Sequence, residues 1–350
     1  QDIDMGGYVD VQWNQNFNDG FKNNPNNALR VYDNQKDNFN VNQAVLWFEK
    51  PVTDVNQAGF RIDLLTGQDA QTMAADGYNG DAFDLMQAYA EYKASLGVFE
   101  GNGFLPSWVD FKAGRLLTLA GVEVPMAPSN WEVSRGILYG YAVPTTHTGL
   151  RSQFKVWEDR ADVYFGINNG WDQAVDINSE KTLEWGLGYE PLKNVKVMHS
   201  VYLGQEGAGL SNNRFLSSNV VTWNATDKLA FAAELDYGTS RGVIKYDEAE
   251  YDNGNWFGLG GHARYQLTKQ FAPYYRVEWM ADQGKTRFTD GTTGFTDNIL
   301  ENTFGAEFKL TDNLITRGEY RFDKSVGNLA YDGKFSQEQT LEGQIIYLIG

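Results

Sequence analysis

Wherever this chain looks structured, apolar and polar side chains alternate one for one, the periodicity of a strand whose two faces meet different surroundings. Leu229, Phe231, Ala233, Leu235 and Tyr237 alternate with Ala230, Ala232, Glu234 and Asp236. Ala161, Val163, Phe165 and Ile167 alternate with Asp162, Tyr164, Gly166 and Asn168, and Leu341, Gly343, Ile345 and Tyr347 with Glu342, Gln344 and Ile346. No 3.6-residue stripe persists at length, which excludes helical architectures.

The connections fall into two kinds. Tight polar turns recur at Glu158-Asp159-Arg160, Pro191-Leu192-Lys193-Asn194, Asn224-Ala225-Thr226-Asp227-Lys228, Thr268-Lys269-Gln270 and Thr311-Asp312-Asn313. Between them lie long stretches rich in Gly, Asn and Asp, near 18–38, 69–82, 171–180, 204–214, 238–255, 282–298 and 323–337. The residues before the tight turns, Val156, Tyr189, Trp223, Tyr265 and Phe308, step by 33, 34, 42 and 43 positions, one hairpin per step. Over 350 residues this predicts roughly 16 strands of about 9–12 residues each. Strands of a soluble sandwich, β-helix or propeller would alternate too, but are usually about half as long. An even strand number, short turns on one rim and long loops on the other predict an all-β fold: a transmembrane antiparallel up-and-down barrel. In lipid such a sheet must close, because an open edge leaves peptide groups unpaired. The expectation is one barrel domain over 1–350.

Mean hydropathy is −0.48 and no run approaches the ~20 apolar residues of a spanning helix. In a barrel these averages mislead, since the lipid-facing and water-facing halves of each strand cancel. Trp13, Trp47, Trp157, Trp223, Tyr237, Trp256, Trp279 and Tyr320 fall near inferred strand ends and are expected in interfacial aromatic belts. With 29 Lys and Arg against 46 Asp and Glu the net charge is −17, so no nucleic-acid partner is expected. The absence of Cys removes thiolate metal sites and cysteine nucleophiles. His147, His199 and His262 stand far apart, no Gly-x-Ser-x-Gly or His-Glu-x-x-His motif is present, and neither catalysis, a metal nor a cofactor is expected. Asp247, Glu248, Glu250 and Asp252-Asn253-Gly254-Asn255 read as a solvated acidic loop, with divalent bridging to lipopolysaccharide as a further use.

Several blocks are more specific. They include Phe39-Asn40-Val41-Asn42-Gln43-Ala44, Gly59-Phe60-Arg61-Ile62-Asp63-Leu64-Leu65 and Phe111-Lys112-Ala113-Gly114-Arg115. Ala127-Pro128-Ser129-Asn130-Trp131-Glu132-Val133-Ser134-Arg135, Tyr141-Ala142-Val143-Pro144-Thr145-Thr146-His147-Thr148-Gly149-Leu150-Arg151 and Asn168-Asn169-Gly170-Trp171-Asp172 follow. In these the chain resembles the OmpL-like β-barrel porin-2 family of Gram-negative outer membranes. The resemblance implies a channel-forming barrel in the outer membrane, in contact with lipid and lipopolysaccharide. One departure is the ending Leu348-Ile349-Gly350, with Tyr347 the nearest aromatic, where such barrels usually close on a terminal aromatic.

The longest connection, 119–146, is rich in proline and carries Val122, Val124, Met126, Trp131, Ile137 and Leu138. Apolar content in a long loop argues that it packs, and a 16-stranded barrel otherwise leaves a wide aqueous hole. The segment is therefore expected to fold into the lumen and narrow it, with an external loop packed on the rim as the alternative. Glu123, Glu132 and Arg135 would offer charge, Asn130 and Ser134 hydrogen bonds, and Trp131 a ring. Arg61, Lys112, Arg151, Arg264, Arg276, Arg317 and Arg321 lie in the polar phase of their strands, together with Asp63, Glu278 and Glu319, as the expected lumen wall. Passive diffusion of ions and small hydrophilic solutes, with weak cation preference, is the leading expectation. Solute-selective uptake along Tyr89, Trp131, Tyr164 and Tyr274, or a structural or adhesive surface role, are alternatives. A homo-oligomer, as a trimer, fits any of the three.

Overall fold

A computed structural model describes residues 3–18, 26–75, 82–97, 104–157, 160–178, 180–206, 213–241, 254–288, 297–326 and 336–350. Among them are sixteen strands: β1 (Asp4–Asn16), β2 (Asn38–Lys50), β3 (Gln57–Thr66), β4 (Phe83–Ser95), β5 (Trp108–Leu117), β6 (Thr146–Val156), β7 (Ala161–Asn168) and β8 (Thr182–Leu192). The second half adds β9 (Val195–Gln205), β10 (Asn213–Asn224), β11 (Leu229–Arg241), β12 (Gly254–Tyr265), β13 (Phe271–Gln283), β14 (Asp297–Lys309), β15 (Leu314–Ser325) and β16 (Gln337–Ile349). Two short helices, α1 (Gln68–Met73) and α2 (Ile137–Tyr141), lie between β3 and β4 and between β5 and β6.

Each strand pairs antiparallel with its chain neighbours, and β1 closes on β16 from Gly7↔Ile349 to Asn16↔Thr340. The expected closed antiparallel barrel of about 16 strands is what forms. A 13-residue strand such as β11 is ~43 Å long at about 3.3 Å per residue, enough to cross a ~30 Å hydrocarbon layer at a steep tilt. Strands reach further into the sequence than the turn-rich stretches suggest. Gly238–Arg241 and Asp323–Ser325, expected as loop, continue β11 and β15. Short connections lie at one rim, as at 225–228 and 310–313, and long ones at the other.

Alternation now has a direction. Leu235, Tyr237, Leu259 and Phe304 are exposed on the outer face, while Glu234, Asp236, Arg276 and Glu301 are buried on the inner one. Ring pairs mark both ends of the outer face. Trp157 stacks on Tyr189 and Trp223 on Phe231 near the short turns, and Phe257 meets Trp279 near the long loops.

Two expected belt residues belong inside instead. In β2 one residue is inserted opposite Asp10/Val11, so Asn42 and Gln43 both face inward and are 2 % and 0 % exposed. The inserted residue reverses the phase of the rest of the strand, and Trp47 turns to the inner face opposite Asp63. In β12 Trp256 and Phe257 are adjacent, so only one can point out. Trp256 points in, is 1 % exposed and donates its indole N–H to the Ala142 carbonyl at 3.0 Å. The acidic stretch from Asp247 to Asn253 lies outside the described residues.

Candidate functional site

The chain between β5 and β6 makes no ladder of its own apart from α2 and a single 3-10 turn at Ala127–Ser129. Its buried peptide groups therefore need partners from elsewhere. Strand side chains supply them in two chemical classes. Carboxylates take the N–H groups: Glu234 accepts from Val122 at 2.8 Å, Glu319 from Val133 and Ser134 at 2.7 and 3.1 Å. At α2 the strand carboxylates Glu301 and Glu278 take the N–H groups of Ile137 and Leu138 at 3.1 and 3.0 Å, and the segment's own Glu123 takes that of Gly136 at 2.6 Å. A side chain at Gly136 would run into the Glu278 carboxylate, so the close approach needs glycine there.

Guanidinium groups take the carbonyls. Arg276 donates to Ser134 at 2.8 Å, Arg321 to Arg135 at 2.6 Å and Arg317 to Ala127 at 3.0 Å, and Arg287 donates to Tyr141. The Gln43 amide spans β2 and the segment, donating to Pro125 at 2.9 Å and accepting from Ala127 at 3.2 Å. The segment is thus bonded along its length to inward-facing side chains of β10 to β15 and β2. Charge-assisted bonds of this kind are about twice as strong as neutral ones.

The expected site residues divide by burial. Glu123, Asn130, Glu132, Ser134 and Arg135 are 5 % exposed or less. Glu123 pairs with Arg276 at 2.7 Å, and Glu132 with His262 at 3.0 Å. Burial favours a neutral Glu132, but the His262 imidazole outweighs it and holds the carboxyl below its usual range. Arg135 is spent on the carbonyls of Val124, Val133 and Pro125 and lies 5.6 Å from the Tyr32 ring. The Asn130 amide bonds both ends of Val124, and Ser134 Oγ bonds Glu319 at 2.5 Å. Trp131 is half-buried, edge-on to His262.

On the strands, Arg276 also binds Glu301 at 2.7 Å, Arg321 binds Glu301 and Asp323 at 3.2 and 3.0 Å, and Arg317 binds Glu307 at 3.0 Å. Arg264 reaches the other oxygen of Glu307 at 2.6 Å, and Arg151 pairs with Glu184 at 2.5 Å. Arg61 bridges Glu49 and Asp63, both at 2.8 Å, and lies over Trp47. Lys112 stands 3.7 Å from Glu91 and over Tyr89. Of the expected stacking residues, Tyr89 and Tyr164 are half-buried on the inner face, while Tyr274 is buried with its hydroxyl on Glu319. The histidines sit on β6, β9 and β12. Among the described residues no group of three or more His, Cys, Asp or Glu is arranged to hold a metal ion.

A second inner contribution comes from the stretch 26–37, which sequence reasoning treats as polar loop. Arg30 is buried among Asp33, Asp323, Glu338 and Glu342, and Tyr32 packs on Tyr139 of α2 at 5.6 Å. The cue available in the sequence is Leu29, Val31 and Tyr32 within an otherwise polar stretch. From α1, Asp69 accepts from Gln43 at 2.7 Å, and burial pushes its carboxyl up to about 8 against the pull of Arg135.

Comparison with known proteins agrees with this architecture. The sequence matches the family model described as "Putative beta-barrel porin-2, OmpL-like" over residues 2–349. No curated protein matches the chain. The outer membrane channel DcaP of Acinetobacter baumannii is similar at TM-score 0.65 and 9 % identity, covering 99 % of this chain and 97 % of its own. The trimer form of OmpT of Vibrio cholerae is similar at 0.63 and 10 %, with 99 % of both chains covered. An anion-selective porin from Comamonas acidovorans is similar at 0.62 and 12 %, again with 99 % of both. Identities this low speak for the shared fold alone.

Proposed function

Because the chain belongs to the β-barrel porin-2, OmpL-like family, we propose that it is a passive channel of the Gram-negative outer membrane for ions and small hydrophilic solutes. The observation that carries this reading is the sorting of side chains by face. The outer face is apolar and fit for lipid, whereas the inner face carries charged and hydrogen-bonding groups, part of them bonded to the inner segment and part left accessible, such as Arg61 and Lys112. The segment between β5 and β6, bonded to the wall on one side, is the natural constriction. Open current in planar bilayers tests the channel reading; a folded, inserted barrel that carries no current refutes it.

We further infer weak cation preference. The acid excess, 46 against 29, has no place on an apolar outer face and is left to the inner surface and the loops. A field of that sign attracts cations into a low-dielectric passage. In a KCl gradient the zero-current potential should carry the sign of K+ permeation, by a few-fold at most. An anion-selective potential would sink the inference. The trimer form of the Vibrio neighbour fits a homo-oligomer here as well.

A further inference from the structure

Ahead of its 3-10 turn the inner segment alternates in burial from Val122 onward. Glu123, Pro125 and Ala127 are buried against the wall, while Val122, Val124 and Met126 are their half-buried alternates. Glu123 thus turns back to Arg276, and the side chains left toward open space are apolar: Val122, Val124 and the part of Met126 not packed on the inner hydrophobic cluster. Val122 is held at the level of Glu234 and Ala127 at the level of Gln43, both midway along their strands. Inside a closed barrel at that depth, the open space is the lumen.

Elsewhere the lumen wall carries closely spaced charges of both signs, Arg61 between two carboxylates, Glu49 and Asp63. Arg61 sits with Glu49, Lys112 with Glu91, and Lys155 with Asp162 at 3.5 Å, on β3, β5 and β6 and their neighbouring strands. The three cations keep 23 %, 27 % and 36 % of their side-chain surface exposed, so a solute can reach them. A passing molecule therefore meets the apolar row midway along the barrel and charges of both signs on the wall toward the short-turn rim, where Glu49, Lys155 and Asp162 lie at strand ends. A sugar would have to strip hydroxyl groups of water against Val124 and Met126, which costs free energy without return. A zwitterion with an apolar side chain suits both surfaces along its path: ammonium and carboxylate on the charges of both signs, hydrocarbon on the row.

We propose that the channel selects, among small solutes, α-amino acids with apolar side chains over polar solutes of equal size and charge. This rests on the diffusion-channel reading above. Leucine and asparagine are nearly equal in size and carry the same zwitterionic head, so a pore that only sieves passes them equally. In swelling of proteoliposomes holding the full-length chain, leucine should enter about threefold faster than asparagine, far below the roughly 10–200-fold of an enclosed apolar pocket. In a V122N/V124N/M126Q variant that still conducts KCl, the ratio should fall to near one. The single V124N variant, expected to lower the ratio in part, serves if the triple variant does not insert. Leucinamide and 4-methylpentanoate, each with one charge, should both enter more slowly than leucine. Equal entry of leucine and asparagine through a wild-type channel that conducts KCl overturns the proposal, as does a ratio the variants leave unchanged. A wild-type barrel that carries no KCl current fails the channel reading itself.

Discussion

A chain lacking residues 123–134 is expected to form the same barrel and to carry several times the current per open channel. The barrel does not need the segment to close, since all sixteen strands pair through main-chain ladders and β1 meets β16 directly. What the deletion removes is the layer bonded to Glu319, Arg276 and Arg317, together with the Ser134 hydroxyl that Arg321 reaches. Those side chains would not be left dry. With the layer gone the lumen admits water, and a barrel of 16 strands is wide enough for an aqueous channel. The desolvation that makes unpaired buried charge costly is thereby relieved, so the lost contacts cost less than their number suggests. Single-channel recording decides the matter: conductance equal to wild type would mean that the segment is not what limits flow.

The barrel is legible in the sequence because two solvents, lipid and water, impose opposite demands on adjacent residues of every strand. Thus Leu235 and Glu234 declare their faces without any tertiary knowledge. Phase is lost where the backbone slips. The inserted residue in β2 turns both Asn42 and Gln43 inward and reverses Trp47, and nothing local in Asn-Gln-Ala-Val announces it. Strand ends are overestimated as loop, since polar residues such as Asp323 and Ser325 suit a strand that has left the hydrocarbon layer but still faces the lumen. The segment's apolar content and charged residues can be read directly, yet their orientation cannot. Glu123 and Val122 are equally plausible as lining until Arg276, about 150 positions on, is seen to claim the carboxylate. Arg30 is the extreme case. Its partners Asp323, Glu338 and Glu342 lie about 300 residues away, and only barrel closure brings them to it.

Replacing Arg30 with alanine is expected to lower the barrel's unfolding temperature by roughly 5–10 °C, from a loss of about 3–5 kcal/mol. The guanidinium is fully buried, and its four carboxylate partners have side chains no more than 3 % exposed. It is the cation that ties the stretch 26–37 to β15 and β16, next to the seam where β16 meets β1. Removing it strands a cluster of buried negative charge. Arg30→Lys keeps the charge but not the planar fork of donors, and should recover only part of the loss. The effect has a pH signature. Burial works to raise the Asp33 carboxyl, but Arg30, with Arg321 behind it, outweighs this and holds it below its ordinary value. A depressed carboxylate contributes stability that is present above its unfolded value, about 3.9, and is lost as pH falls through the folded one. The gap between wild type and Arg30→Ala should therefore be full at pH 7 and shrink below about pH 4, where protonation removes the charge that Arg30 offsets. Heat-induced mobility shift on denaturing gels follows it directly. A variant that unfolds with wild type at pH 7, or a gap that widens in acid, would show that the cluster is held by something other than this one cation.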